Sequence, residues 1–331
     1  MVMRAAVELQ LLDVIAKAGP GAQLSPSQIV SRLPAADTLV SNPDAPEMLD
    51  RMLRLLASHS ILTCSLGNDD RDQSPDRALV GRRLYGLAPV AKYFVPNQDG
   101  VSLAPFLYLA KEKAFASSWH QLKGAVLEGG IPFQRAHGTS PFEYLRKDPR
   151  LNEVFNKAMA DHSTIVNKKI LESSYKGFEQ VQTLVDVGGG LGATLDLITS
   201  KHPHVRGVEH VGGDMFESVP RGDAIIMKWI LHNWSDDHCL KLLKNCYKAL
   251  PDNGKIIAVD GILPLMPDSS SATKGIFSLD LQMMTQLVGG KERTQPGLLA
   301  LATGAGFSGI RLECLAFGEA LLQTAECRSV L

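Results

Sequence analysis

Apolar residues over the first sixty positions recur at helical spacing. Val7, Leu11, Ile15 and Ala18 share one face of a helix predicted over residues 1–18, which Gly19-Pro20 ends. No capping residue precedes it, so the chain opens inside the helical pattern. Ser25-Pro26-Ser27-Gln28 has capping-box spacing with proline at the first helical position, and a short helix to Leu33 is expected. A third helix is predicted over residues 47–59, with Leu49, Leu53 and Leu56 on one side. Two strands, 61–66 and 83–87, flank a polar loop rich in aspartate. Three helices followed by a two-stranded wing make a winged-helix pattern.

Residues 101–128 and 141–174 read as mainly helical, with Gly129-Gly130-Ile131-Pro132 breaking between them. From Thr183 onward the pattern changes. Apolar strands at 184–187, 224–230 and 255–259 alternate with helices, the first helix spanning 193–201, which is α/β organisation. The change is placed inside a connecting helix near residue 165, giving domains 1–164 and 165–331. No internal repeat or low-complexity tract interrupts either.

Composition narrows the function. Of 331 residues 45% are hydrophobic and 21% charged, so the chain can build a core. Lys and Arg number 34 against 35 Asp and Glu, a net charge of −1, which argues against nucleic acid or an acidic membrane as partner. The wing loop carries Asp69, Asp70, Asp72 and Asp76, and the third helix sets Glu47 and Asp50 beside Arg51 and Arg54. A groove reader should be basic there, so the winged helix reads as a packing or dimerisation module rather than a DNA-binding one. The cysteines, Cys64, Cys239, Cys246, Cys314 and Cys327, are odd in number and form no C-x-x-C pair, which fits a reducing, cytoplasmic setting. No apolar run reaches the ~18 residues of a membrane helix. Arg4, Glu8, Asp13 and Lys17 interrupt the first segment, so it is no signal peptide. His202, His204 and His210 lack the surroundings of a metal site, and no metal is expected.

The strand at 184–187 runs into Gly188-Gly189-Gly190-Leu191-Gly192 and then a helix. Glycines at such a turn let the backbone approach a ligand at the helix N-terminus. The spacing is not G-x-G-x-x-G, which counts against a nicotinamide dehydrogenase. In such folds an acid about 20 residues on holds the ribose hydroxyls, and Glu209 stands at about that distance.

Several ordered segments resemble the plant caffeic acid/flavonoid-type O-methyltransferases. They are Leu184-Val-Asp-Val-Gly-Gly-Gly-Leu-Gly-Ala-Thr194, Val211-Gly-Gly-Asp-Met-Phe216, Met227-Lys-Trp-Ile-Leu-His-Asn-Trp-Ser-Asp236, Gly289-Gly-Lys-Glu-Arg-Thr294, Gly129-Gly-Ile-Pro-Phe133 and Ala249-Leu-Pro-Asp-Asn-Gly254. The resemblance covers nearly the whole chain. It implies a Rossmann-like domain binding S-adenosylmethionine at 165–331, behind a winged-helix-like dimerisation and acceptor-pocket domain at 1–164. It also implies a homodimer and a small phenolic acceptor, with S-adenosylhomocysteine as the product. The general base corresponds to His232, flanked by Asp260 and Glu292, with Asp260 one methylene shorter than the family's usual Glu. A phenol of pKa near 10 is protonated at neutral pH, and a neutral imidazole can take its proton as the oxygen attacks. Cofactor contacts correspond to Gly188, Gly190, Asp214, Met215 and Lys228. The acceptor pocket corresponds to Leu109, Ala110, Phe115, Phe155, Met159, Leu279, Met283 and Leu287. Family asparagines are replaced by Ala110 and Leu287, which favours acceptors with fewer polar ring substituents.

The chain departs from the family after Lys201-His-Pro-His. Residues 203–206 run straight into the segment ending at Asp214, so about 15–20 residues, the size of one strand and its helix, are missing together with the ribose-binding acid. Glu209 matches the family's later strand, not that acid. The strand at 208–211 is expected to move inward and pair with 184–187. The family's amino-terminal arm is also absent, which should weaken dimerisation. The alternative from another class is a catalytically weak or inert family variant acting as a dimer partner.

Overall fold

A computed structural model of the chain describes residues 1–34, 42–67, 83–205 and 209–324. They divide into two units, Met1–Glu112 and Lys113–Leu331.

In the first unit the amino-terminal helix proves to be two, α1 (Val2–Glu8) and α2 (Leu11–Lys17), because Gln10 between them takes a left-handed φ of 55°. The break lets α2 bury Leu11, Leu12, Val14 and Ile15, more of its surface than a single straight stripe would cover. The capping box of α3 (Pro26–Val30) forms in full: the Ser25 hydroxyl accepts from the Gln28 amide and the Gln28 side chain from the Ser25 amide. α4 (Ala45–Ser58) buries Leu49, Leu53 and Leu56 as their spacing predicts. β1 (Leu62–Leu66) and β2 (Arg83–Leu87) pair antiparallel, and the wing loop between them lies outside the described residues. Asp50 of α4 is buried and accepts from the Tyr85 hydroxyl at 2.7 Å and Arg83 Nε at 3.1 Å, so this acid ties α4 to the wing. α5 (Ala104–Ala110) ends the unit, with Leu109 buried.

The second unit begins with a helical layer: α6 (Lys113–Ser118), α7 (Leu122–Glu128), α8 (Pro132–His137), α9 (Pro141–Lys147) and the 24-residue α10 (Pro149–Glu172). The expected division near residue 165 falls inside α10, whereas the units part at Glu112/Lys113. Val166, Ile170 and Leu171 of α10 join the apolar cluster of the sheet, which binds that helix to the α/β part.

The sheet strands are β3 (Leu184–Asp186), β4 (Ala224–Lys228), β5 (Lys255–Gly261), β6 (Ile310–Ala316) and β7 (Glu319–Thr324), in the order β3-β4-β5-β7-β6. β3, β4 and β5 are parallel, and β7 runs antiparallel to both its neighbours. Helices α11 (Ala193–Lys201), α12 (Asp236–Ala249), α13 (Ser271–Gln286) and α14 (Gln295–Ala305) complete the unit. Alternation along the strands sorts the core. Ile225, Met227, Ile256 and Ala258 pack in one cluster with α12 and α14 residues. Ala224, Ile226, Ile257 and Val259 pack in another with α10 and α11. Side chains of this size each contribute about 1.5–3 kcal/mol when fully buried.

The inward strand expected at 208–211 does not form. Glu209, His210 and Val211 adopt no strand, Val208 lies outside the described residues, and β3 is the edge of the sheet among the described residues. The physical reason lies in the pattern: in Val208-Glu209-His210-Val211 the two valines would point to opposite faces of a strand, so neither face would be apolar.

Candidate active site

β4 ends where the backbone turns over. Trp229 has a φ of 56°, rare for a bulky residue, and the 3-10 turn Leu231–Asn233 follows. The turn is held from several sides. The Trp229 amide donates to the Val259 carbonyl at 3.0 Å, and the Trp229 carbonyl accepts from Asn233 Nδ2 at 2.8 Å. Arg293 donates to the Leu231 and Trp234 carbonyls at 2.7 Å each, and the Lys291 amide donates to the His232 carbonyl at 2.9 Å. Gly289 and Gly290 permit this approach. Gly289 has a φ of 71°, and a Cβ there would lie 2.7 Å from the Ser235 Cβ. A Cβ on Gly290 would lie 2.8 Å from the Leu287 Cβ.

His232, in this turn, is 4% exposed. Its Nδ1 lies 2.6 Å from Glu292 Oε1, and the Glu292 amide in turn donates to Asp280 Oδ1 at 2.8 Å. Burial pulls the imidazole down to about 4, opposed by Asp260 and reinforced by Lys228 and Arg293. Burial, with Asp280 adding to it, pushes the Glu292 carboxyl up to about 8. The ring is therefore neutral at pH 7, and its tautomer follows Glu292: ionised, the carboxylate draws the ring proton to Nδ1 and leaves Nε2 bare, whereas protonated it donates to Nδ1.

Asp260, on β5, is buried but neither of its carboxylate oxygens finds a hydrogen-bond partner among the described residues. The two flanking acids are thus unequal: Glu292 touches the imidazole, and Asp260 acts on it only through its charge. Burial raises Asp260 to about 7, while His232 and Lys228 oppose the rise.

Lys228 is among the expected cofactor contacts. Its ammonium lies 3.1 Å from His162 Nδ1, 3.5 Å from Glu319 Oε2 and 3.9 Å from the centre of the Trp229 ring. It is engaged within the protein. Neither His162 nor Glu319 is singled out by sequence reasoning. The available signal was a charged residue beginning the apolar run Ala320-Leu321-Leu322.

The glycine loop leaves β3 beside this turn. Gly188, Gly190 and Gly192 have φ of 70°, 58° and 85°, and Gly192 caps α11. A Cβ on Gly188 would strike Ile230 Cδ1 at 2.4 Å, whereas at Gly190 it would meet open space. Asp186 Oδ2 is buried without a hydrogen-bond partner among the described residues, and burial raises its carboxyl to about 7. A buried, unsatisfied acid beside an open glycine turn suits a ligand carrying positive charge, such as a sulfonium or an amino group. Asp214 is exposed and its Oδ1 accepts from the Phe216 amide, while Met215 is half-buried against the core.

Of the expected acceptor-pocket residues, Phe115 is buried against Phe133, with ring centres 5.7 Å apart. Phe155 and Met159 lie half-buried on α10, Leu279 and Met283 half-buried on α13, and Leu287 caps that helix. Leu109 and Ala110 belong to the first unit. Of the three histidines near 202–210, His204 bonds the Phe178 carbonyl at 3.0 Å.

Three parallel strands within a mixed sheet, a glycine turn after the first of them and a histidine–carboxylate pair at the end of the next define a Rossmann-like enzyme domain. A family model described as an O-methyltransferase domain matches residues 119–208 and 206–308, and one described as an O-methyltransferase dimerisation domain matches residues 1–97. The chain belongs to this O-methyltransferase family, enzymes of EC class 2.1.1. It is 55% identical to a caffeic acid 3-O-methyltransferase of Prunus dulcis and 54% identical to one of Medicago sativa. Each alignment covers 98% of this chain and 90% of the relative. Both run over 340 positions, more than the 331 residues present here, so the relatives carry residues this chain lacks. The catalytic-domain match divides at 206–208, where the sequence analysis puts the missing strand and helix. Among solved structures, the fold resembles that of LaPhzM, with a TM-score of 0.71 and 25% identity over 98% of this chain and 94% of that one. It also resembles human N-acetylserotonin methyltransferase in complex with SAM, with a TM-score of 0.75 and 18% identity over 98% and 93%.

Proposed function

We propose that the chain methylates a hydroxyl of a small phenolic acceptor, with S-adenosylmethionine as donor and His232 as general base. The observation that carries this reading is the 2.6 Å contact between His232 Nδ1 and Glu292 at the carboxyl end of β4. In open α/β sheets ligands bind at that end. The cofactor supplies a methyl group already activated on a sulfonium. Asp186, Gly188 and Gly190 would hold its charged end, with Asp214 and Met215 toward the adenine. The work left to the chain is to orient the phenol, take its proton at His232 Nε2 and exclude water. Glu292 fixes the tautomer, and Asp260 stabilises the imidazolium that forms.

Phe115, Phe155, Met159, Leu279, Met283 and Leu287 would wall the acceptor with apolar surface. Substitution of the family's asparagines by Ala110 and Leu287 favours a flat acceptor with few polar ring substituents. The match to a dimerisation domain supports a homodimer. No helix among the described residues is long and apolar enough to cross a membrane, and a cytoplasmic site of action is the reading we adopt.

The test is titration with S-adenosylhomocysteine in a calorimeter, followed by a phenol panel. Micromolar binding and methylation are expected, with His232→Ala lowering kcat by about 10²–10⁴-fold while leaving product binding intact. A folded chain that binds no S-adenosylhomocysteine, or a His232→Ala variant as active as the parent, would overturn it. Equal activity on caffeic-type acids and on less substituted phenols would remove the acceptor preference alone.

A further inference from the structure

A second group of buried ionisable side chains stands beside the His232–Glu292 pair, and the reaction as derived leaves it without a task. β6 and β7 are joined by Phe317 and Gly318, both at positive φ, the conformation of a tight two-residue hairpin turn. The turn delivers Glu319 to the first position of β7, opposite Gly261 and one residue beyond Asp260 in the register with β5. Glu319 is 5% exposed. Its Oε1 lies 3.2 Å from His162 Nε2 and its Oε2 lies 3.5 Å from Lys228 Nζ, while Lys228 Nζ lies 3.1 Å from His162 Nδ1. An ammonium can only donate, so His162 Nδ1 accepts and the ring proton sits on Nε2, directed at Glu319. Ammonium, imidazole and carboxylate thus close a three-membered circuit, whose Lys228–Glu319 side is an ion pair, since Glu319 Oε2 has no hydrogen-bond partner among the described residues. The His162 ring also stacks on Trp229 with centres 4.1 Å apart, and the Lys228 ammonium lies 3.9 Å from the same ring. Trp229 is the residue at φ 56° that starts the turn carrying His232.

We propose that Glu319 is a positioning residue for His232: through His162 and Lys228 it clamps the Trp229 ring and so holds the left-handed backbone from which the His232 turn springs. The proposal rests on the reading of His232 as the base. Burying an ammonium and a carboxylate is costly, and apolar side chains of similar volume would serve packing alone at least as well. A left-handed tryptophan, by contrast, persists only where its surroundings over-determine it, and this circuit supplies directional contacts to its ring. The charged and titratable groups around Glu319 are Lys228 from β4, His162 from α10, Asp260 from β5 and Glu292 from the segment after α13. The negative charge of Glu319 raises Asp260, and that of Glu292 raises Glu319.

The experiment compares Glu319→Gln, Glu319→Asp and, as a control on the exposed part of β6, Glu313→Gln, in the full chain with S-adenosylmethionine and its best phenol. Glu319→Gln should lower kcat by about tenfold, within the range seen when a reacting group is misplaced by about 1 Å, with the phenol KM little changed. Its kcat–pH profile should shift toward lower pH, because one buried negative charge beside Glu292 and Asp260 is gone. Glu319→Asp should recover part of the loss, and Glu313→Gln should match the parent. An unchanged kcat and pH profile in a folded Glu319→Gln variant would sink the proposal. A second measurement needs no variant. Nitrogen-15 spectra of histidine-labelled parent protein should show His162 neutral as the Nε2–H tautomer at pH 7 and still neutral at the ordinary histidine value of 6.5, because burial, with Lys228 adding to it, disfavours its cation. A His162 titrating near its ordinary value, or carrying its proton on Nδ1, would overturn the circuit even if the variants fail to fold. A parent that binds S-adenosylhomocysteine but methylates no phenol would remove the function of His232 and leave the tautomer result standing as a separate test.

Discussion

At the scale of single residues, the site turns on which proton lies between His232 and Glu292. Their 2.6 Å separation holds one hydrogen, and two arrangements are available. With Glu292 ionised, Nδ1–H donates to it and Nε2 is a free base. With Glu292 protonated, its hydroxyl donates to Nδ1, and Nε2 carries the ring proton and cannot act. Burial and Asp280 raise the Glu292 carboxyl to about 8, so the active form gains population as pH rises through that value. The kcat–pH profile is therefore expected to climb to a plateau above about pH 8 rather than peak near 7. Glu292→Gln keeps an acceptor for Nδ1–H but removes the titration. Its rate should be about 10²-fold lower and independent of pH between about 7 and 9. A parent profile flat across that window would show that Glu292 is already ionised below it.

At the scale of elements, much was legible and the exceptions have physical causes. The capping box at Ser25 forms as its S-x-x-Q spacing requires, because a cap is a local interaction. β4 and β5 appear where apolar runs placed them, and α11 spans 193–201 as read. The break at Gln10 was hidden because a left-handed glutamine is imposed by the packing of α1 and α2, not by its own preference. His232 and Glu292 were placed by motif, yet Glu319 and His162 were not, since their meeting depends on the pairing of β5 with β7 and on α10. The expected inward strand failed for want of an apolar face. β3 consequently has a partner on one side only among the described residues. Alternation makes that edge testable: the Val187 amide is bonded to the Ile226 carbonyl, so the amides of Leu184 and Asp186 point the other way. Hydrogen exchange should be at least about tenfold faster for those two amides than for Ile225 and Ile257 in the buried strands. Equal protection would mean that another segment covers the edge.

At the scale of the whole molecule, the same buried acids that serve the site burden the fold. Asp186, Asp260 and Glu319 are pushed up to about 7 and Glu292 to about 8, all chiefly by burial. In the unfolded chain each would lose its proton near pH 4. Between about pH 4 and 8 the folded state therefore binds more protons than the unfolded one, and stability falls as pH rises through that range. His232 and His162 act in the opposite sense, since burial pulls both down, but their contribution is complete once pH passes the ordinary histidine value of 6.5. Above that point the four raised carboxyls outnumber the one buried ammonium, Lys228, which burial lowers and which acts in the opposite sense, so the melting temperature should decline from pH 6.5 to 8.5. The activity argued from Glu292 rises over the same interval. Scanning calorimetry beside the kcat–pH profile reads both trends on one preparation. Replacing Asp260 by Asn should flatten the decline in stability, because a neutral amide bears no charge to desolvate. A melting temperature constant or rising from pH 6.5 to 8.5 would mean that these carboxylates find solvent or cationic partners in solution, and the case for a protonated Glu292 at neutral pH would fall with it.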